Sequence, residues 1–196
     1  MILVHGRGGS AEDLLGLALE LRFDDVLFVA PQAAGHTWYP YSFLTQMARN
    51  EPGLTSGLNK ISSLIDALRH EGLSPERVGL MGFSQGACLS LEYAARSARR
   101  YAAVVGLSGG IIGPPGTPRD YPGSLDSTPV FLGCSDIDPH VPVERVHETE
   151  EVFARLGATV DKRIYPGMGH IVNEDEITAV CAILGADAIQ NRHLST

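Results

Sequence analysis

The residues best suited to chemistry are two serines, each at the centre of a Gly-x-Ser-x-Gly pattern. Ser84 lies in residues 82–86 (Gly-Phe-Ser-Gln-Gly), and Ser108 lies in residues 106–110 (Gly-Leu-Ser-Gly-Gly). A serine hydroxyl can attack an acyl carbon when a histidine takes its proton and a carboxylate orients that histidine. Because the pattern occurs twice, the elements around each serine must decide between them.

The two serines differ in the elements that flank them. A nucleophile of this kind stands on a sharp turn between a strand and a helix, where the turn exposes the hydroxyl. The apolar run at residues 77–83 predicts a strand before Ser84, and residues 87–100 predict a helix after it. Ser108 precedes the run Ile-Ile-Gly-Pro-Pro, which cannot begin a helix of useful length. The sequence therefore predicts that Ser84 is the nucleophile and that Ser108 lies in a tight loop.

The proton acceptor and its orienting acid should come after later strands, in the order serine, acid, histidine. His170 stands in a glycine-rich turn directly after a predicted strand and is the expected base. Asp136 and Asp138 both come after the preceding strand, and position alone does not choose between them. Asp138 is favoured because it precedes a proline, which holds it in an extended turn, whereas Asp136 could cap that turn. We interpret His140 as a rim residue.

The negative oxygen that forms during acyl transfer needs backbone N–H donors. One should come from Gln85, the residue after the predicted nucleophile, and one from the glycine-rich loop at residues 5–9, where we expect Arg7 to supply it. Since the donor is a backbone group, Arg7→Ala should reduce activity far less than Ser84→Ala. The same loop could bind phosphate, but it lacks a subsequent Gly-Lys-Ser/Thr, so nucleotide binding is not expected.

Strands and helices alternate along the chain. Six apolar runs predict strands, at residues 1–5, 25–30, 77–83, 101–107, 129–134 and 159–165. Helices are predicted between and after them, and Ser10 with Asp13 forms a capping box at the start of the first. This alternation predicts a parallel sheet of about six strands, covered by helices on both faces, in one domain over residues 1–196. Such sheets carry their sites at the carboxyl ends of the strands.

Two long segments interrupt the pattern, at residues 32–55 and 111–127. The first is rich in aromatic residues, and Trp38 and Tyr39 within it are candidates for the walls of a substrate pocket. Packing in the core is an alternative role for both.

Composition excludes several classes of partner. The 196 residues include 15 Lys and Arg against 23 Asp and Glu, a formal charge of −8, so binding to nucleic acid is not expected. The three cysteines are scattered, which argues against disulfides and zinc and favours a reduced, cytoplasmic setting. We also expect no signal peptide, no membrane span and no metal or cofactor.

With these residues assembled, the chain resembles the carboxylesterase, phospholipase and acyl-protein thioesterase family of small α/β-hydrolases, chiefly its bacterial carboxylesterase branch. The resemblance spans nearly the whole chain and rests on motifs at residues 4–8, 30–32, 38–39, 82–87, 107–109, 138–142 and 167–170. It implies the α/β-hydrolase fold and makes Asp138 the acid of a triad with Ser84 and His170. Family members usually begin with additional residues, so the N-terminal strands of the full fold should be missing, unless the native start lies upstream of Met1.

The expected function is that of a serine carboxylesterase that hydrolyses short- to medium-chain esters through an acyl-enzyme. One alternative is an acyl-protein thioesterase or lysophospholipase acting on long acyl chains. Another, from a different class, is a binding module that keeps the fold without the activity. The sequence leaves both a monomer and a homodimer open.

Overall fold

The sheet contains five parallel strands that lie side by side in chain order. The computed structural model describes residues 1–21, 23 and 25–193, with side chains described up to residue 185. The strands are β1 (Ile2–Val4), β2 (Leu80–Phe83), β3 (Val104–Leu107), β4 (Pro129–Ser135) and β5 (Thr159–Tyr165). In β2, Gly82 is opposite Val4 on one side and Gly106 on the other. Ser84 therefore leaves the sheet from the strand next to β1.

Helices cover both faces of the sheet and bury its alternating side chains in two separate cores. The helices are α1 (Ala11–Leu21), α2 (Gly53–His70), α3 (Gln85–Arg96), α4 (Val143–Arg155) and α5 (Glu174–His193). Leu3, Met81 and Phe131 point toward the core shared with α1 and α5, whereas Leu80 and Leu132 point toward the core that includes α2, α3 and α4. No helix in the described part of the chain is long and apolar enough to cross a membrane.

The predicted strand at residues 25–30 is not a strand of the sheet. Only Val29 pairs there, as an isolated parallel bridge to Ile2. Its N–H donates to Met1 O (2.9 Å), and its carbonyl accepts from Leu3 N–H (2.8 Å). The neighbouring Leu27 is 61% exposed, so the apolar run is not buried as a strand of the interior would be. The sheet therefore has five strands instead of six, and the α/β architecture is unchanged.

The two long segments have different structures. Residues 32–52 contain 3₁₀ turns at Ala34–His36 and Met47–Asn50, and the buried Asn50 amide holds this segment through Tyr41 N–H and Ser42 O. Residues 111–127 contain no helix, as predicted. The capping box at α1 is also confirmed, since Ser10 and Asp13 exchange hydrogen bonds of 2.7 and 3.2 Å between backbone N–H and side chain.

Candidate active site

Ser84 occupies a strained turn between β2 and α3. Its φ and ψ are 55° and −120°, a conformation that side chains rarely adopt. Its N–H donates to Leu107 O at the end of β3 (2.9 Å), and its carbonyl accepts from Cys88 N–H in α3 (3.0 Å). A side chain on Gly82 would come within 2.5 Å of Ala87 N, so the turn needs glycine there. Strand, glycine and helix together fix the hydroxyl at the carboxyl edge of the sheet.

Ser84, His170 and Asp138 form a continuous chain of hydrogen bonds. Ser84 Oγ lies 2.8 Å from His170 Nε2, and His170 Nδ1 lies 2.7 Å from Asp138 Oδ2. Because the carboxylate only accepts, Nδ1 carries the proton and Nε2 is free to accept from the serine hydroxyl. This is the tautomer that a general base needs.

Asp138 is held as an anion. Burial favours its neutral form, but the hydrogen bond from His170 and the N–H groups of His140 (2.8 Å) and Val141 (3.0 Å) outweigh burial and lower its pKa. The proline after Asp138 bends the chain so that these two N–H groups turn back onto Oδ1. Asp138 can therefore stabilise the positive imidazolium that forms when His170 takes a proton.

Asp136, the rival acid in the sequence, holds the turn that carries His170. Its Oδ1 accepts from Gly167 N–H (2.7 Å), and Ser135 Oγ accepts from Gly169 N–H (3.1 Å). The His170 ring also packs against two other rings, with centroid distances of 5.0 Å to Phe83 and 4.8 Å to His140. The last residue of β4 and the turn after it thus supply the Asp138 carboxylate that contacts His170, and also Ser135 and Asp136, which hold the His170 loop.

The two predicted oxyanion donors are the backbone N–H groups of Arg7, in the loop after β1, and of Gln85, the first residue of α3. Neither donates a hydrogen bond to another residue within the described chain. His5, before Arg7, is buried and fixes its loop, because its Nδ1 is 2.7 Å from Gly6 O and its Nε2 accepts from Ala33 N–H (3.1 Å). Their role as oxyanion donors remains a prediction.

The side chains of Arg7 and Gln85 also have a role that sequence reasoning missed. The Arg7 guanidinium donates four hydrogen bonds of 2.8 to 3.0 Å, to Thr37 Oγ1 and to the carbonyls of Tyr39, Pro40 and Tyr41. The Gln85 amide accepts from Trp38 N–H (2.9 Å) and donates to Tyr39 O (2.8 Å). Both side chains fasten the segment at residues 37–41 to the predicted oxyanion donors.

We therefore expect Arg7→Ala to lower kcat/KM by roughly 10- to 100-fold, more than a backbone role alone would give, because charge-assisted hydrogen bonds that position the segment are lost. Esterase kinetics on a p-nitrophenyl ester would measure the change, with Arg69→Ala on the exposed end of α2 as the control. Activity of Arg7→Ala within twofold of the control would contradict this role for the side chain.

A cleft of about 580 Å³ opens in front of Ser84. Phe43, Phe83 and Val141 give it an apolar lining, and Tyr39 and Cys88, both buried, line it as well. Burial raises the pKa of the Cys88 thiol to about 12, so this cysteine does not compete as a nucleophile.

Trp38, the other predicted wall residue, does not line this cleft. It packs against His5 and donates from Nε1 to His5 O (2.8 Å), so it supports the loop that carries Arg7.

Ser108, the other serine of the motif, lies in a buried loop. Its φ of 50° resembles that of Ser84, but its side chain is completely buried and its N–H donates to Gly133 O (2.7 Å). It also lies outside the cleft. Within the described residues, no three His, Cys, Asp or Glu side chains are grouped as metal ligands.

Glu176 is a buried carboxyl that the sequence did not reveal. Its Oε2 accepts from Asn173 N–H (2.9 Å) in a reciprocal cap at the start of α5, and its Oε1 has no hydrogen-bond partner among the described residues. It packs against Gly133 in β4. Burial raises its pKa from 4.5 to about 7.

This shift predicts a pH-dependent stability. An acid whose pKa rises on folding stabilises the folded chain while it is protonated, and the contribution is lost between about pH 4.5 and 7. We expect Glu176→Gln to raise stability at pH 8 by an amount on the order of 3 kcal/mol and to have little effect at pH 4.5. Urea unfolding at both pH values would measure this, with the exposed Glu174→Gln as the control. Equal effects of Glu176→Gln at both pH values would contradict it.

Activation of a serine hydroxyl at the carboxyl edge of a parallel α/β sheet defines the serine hydrolases of the α/β-hydrolase fold, and the chain is of that class. The model of the phospholipase/carboxylesterase family matches residues 1–186, and the chain belongs to this family. It is accordingly a carboxylic ester hydrolase.

Solved structures and curated relatives agree with this assignment. A phospholipase/carboxylesterase from Dyadobacter fermentans has a TM-score of 0.90 and 40% identity, covering 93% of this chain and 88% of its own. Esterase PE8 has a TM-score of 0.79 and 27% identity, covering 94% and 90%. Acyl-protein thioesterase 1 of Gibberella zeae is 29% identical over 94% of this chain and 88% of its own length.

Proposed function

We propose that the chain hydrolyses short- to medium-chain carboxylic esters and that Ser84, His170 and Asp138 are its catalytic triad. The observation that carries the proposal is the continuous chain of hydrogen bonds from Ser84 Oγ through His170 to Asp138. Ser84 and His170 both line an open cleft. Ser84 attacks the ester carbonyl while His170 accepts its proton. The N–H groups of Arg7 and Gln85 bind the oxygen that becomes negative. His170 then returns the proton to the leaving alcohol, and water releases the acyl group by the same steps.

The lining of the cleft supports the shorter acyl chains. The buried Tyr39 and Cys88 form part of its lining. The segment at residues 111–127 adds no residue to the lining. Ile111 and Ile112 in this segment are completely buried, and Arg145 donates a hydrogen bond to the Ile111 carbonyl (2.8 Å). A long acyl chain would need an apolar channel that continues beyond the cleft.

The alternative substrate is a long-chain acyl thioester or lysophospholipid, which the name of the Gibberella zeae relative favours. Kinetics on p-nitrophenyl acetate, butyrate, octanoate and palmitate would separate the two. We expect kcat/KM to be highest between acetate and octanoate and to fall steeply for palmitate. A maximum at palmitate, or faster turnover of palmitoyl thioesters than of butyrate esters, would contradict the short-chain proposal while leaving the triad intact.

A further inference from the structure

The one fixed charge on the described lining of the cleft is positive, in a chain whose formal charge is −8. Arg7 supplies this charge, and none of the described lining residues is a Lys, Asp or Glu. The Asp138 carboxylate lies behind His170, with its side chain fully buried and Oδ2 2.7 Å from His170 Nδ1, and it does not line the cleft. The fixed charge that faces the cleft directly therefore differs in sign from the molecule as a whole.

Arg7 has no carboxylate partner. All four of its described hydrogen bonds go to a hydroxyl or to carbonyl oxygens, and no described Asp or Glu oxygen lies within 4.0 Å of its guanidinium. Neutral acceptors fix the guanidinium in place but leave its charge uncancelled. Arg7 therefore acts on the cleft as a fixed positive charge.

A second arginine lies against one of the residues that line the cleft. Tyr41 lines the cleft, and Arg49 Cζ lies 4.7 Å above the centre of the Tyr41 ring. Arg49 is exposed, and its guanidinium donates no hydrogen bond to another described residue. The nearest carboxyl in sequence, Glu51, accepts from the N–H and hydroxyl of Thr55 instead. A stacked guanidinium with free donors can bind a carboxylate in a bidentate manner.

The other arginines in described ion pairs show the contrast. Arg96, Arg119, Arg145 and Arg163 each lie 2.7 to 2.9 Å from a carboxylate oxygen. Arg7 and Arg49, by comparison, have no described carboxylate partner, as is also true of some arginines elsewhere on the surface, but these two lie at or next to a lining that holds no acid. From this placement we propose that the cleft prefers esters that bear a carboxylate away from the scissile bond, and that Arg49 recognises this group with Arg7 reinforcing the field. The inference rests on the proposed esterase function and names its substrate class.

The test compares esters that differ only in charge. On the acyl side, the p-nitrophenyl monoester of adipic acid is compared with the p-nitrophenyl ester of adipamic acid, in which an amide replaces the carboxylate. On the alcohol side, butyryloxyacetate is compared with butyryloxyacetamide by pH-stat titration. Because the amide matches the carboxylate in shape, the ratio of kcat/KM within each pair reports the effect of charge alone. Comparison of the two pairs reveals whether the preferred carboxylate is on the acyl side or on the alcohol side of the ester.

We expect the carboxylate to be preferred by about tenfold in at least one pair at low ionic strength, and the preference to disappear in 0.5 M NaCl. Arg49→Gln should reduce the preference severalfold, and Arg49→Lys should retain most of it. Arg155→Gln is the matched control, because this exposed arginine does not line the cleft. It is the last residue of α4, about 18 Å along the helix from the first residue, Val143. Thermal melts of each variant would establish that it folds.

Two results would overturn the inference: a ratio at or below one in both pairs, or a preference that Arg49→Gln leaves unchanged. The failure of the proposed function would look different. In that case neither the amide nor the carboxylate esters would be hydrolysed in a manner that depends on Ser84.

Discussion

Ser84→Ala is expected to lower kcat/KM for a p-nitrophenyl ester by about 10⁴- to 10⁶-fold, with the fold intact. The substitution removes the hydroxyl that lies 2.8 Å from His170 Nε2 and leaves no atom that can form the acyl-enzyme. The proposed oxyanion donors and the cleft survive, so a small residual rate above the uncatalysed reaction should persist. Steady-state kinetics measure the loss, and circular dichroism establishes that the variant is folded.

Ser108→Ala is the matched control for that experiment, because Ser108 is the other serine at the centre of a Gly-x-Ser-x-Gly pattern. Its hydroxyl is buried and has no hydrogen-bond partner among the described residues, so its removal should change kcat/KM less than about threefold. A loss of activity in Ser108→Ala with retention in Ser84→Ala would reverse the assignment of the nucleophile.

Gly86→Ala is expected to destabilise the chain by about 4 kcal/mol or more, and to leave little folded enzyme. A methyl group at this position would lie 2.5 Å from Val4 C and 2.6 Å from His5 O, and closer still to Val4 O. These are backbone atoms at the end of β1, so relief requires α3 to move away from the sheet. The same movement would displace Ser84 and the loop that carries Arg7.

Gly16→Ala provides the matched control, because a methyl group on this helical glycine meets no atom within 4 Å. Alanine favours the helix by roughly 1 kcal/mol over glycine, so this variant should be slightly more stable than the parent chain. Urea unfolding of the two variants measures both effects. A Gly86→Ala chain as stable as Gly16→Ala would show that α3 does not pack against β1 as described.

Local sequence signals were sufficient to predict the elements around Ser84, the proposed nucleophile. The apolar run before Ser84 and the helical pattern after it each depend on neighbours within a few residues, and both are present in the structure. The choice of Asp138 over Asp136 used the proline at the next position. In the structure, Asp138 is hydrogen-bonded to His170, whereas Asp136 accepts a hydrogen bond from the backbone of the loop that carries His170.

Features that depend on distant parts of the chain were not predictable in this way. The run at residues 25–30 looks like a strand, but pairing depends on the partner, and only Val29 bonds across to β1. Arg7 reaches carbonyls more than 30 positions away in the sequence. Glu176 reads as an ordinary capping residue, and only the fold places it against Gly133. Likewise, the stacking of Arg49 on Tyr41 is visible only once the segment is folded.

The most direct test of the central claim is covalent labelling with a fluorophosphonate, combined with intact mass measurement and peptide mapping. The proposed triad predicts one adduct per chain, located on Ser84, formed as fast as esterase activity is lost and absent from the Ser84→Ala variant. An adduct on any other residue, or no adduct on folded and active enzyme, would contradict the assignment of Ser84 as the nucleophile.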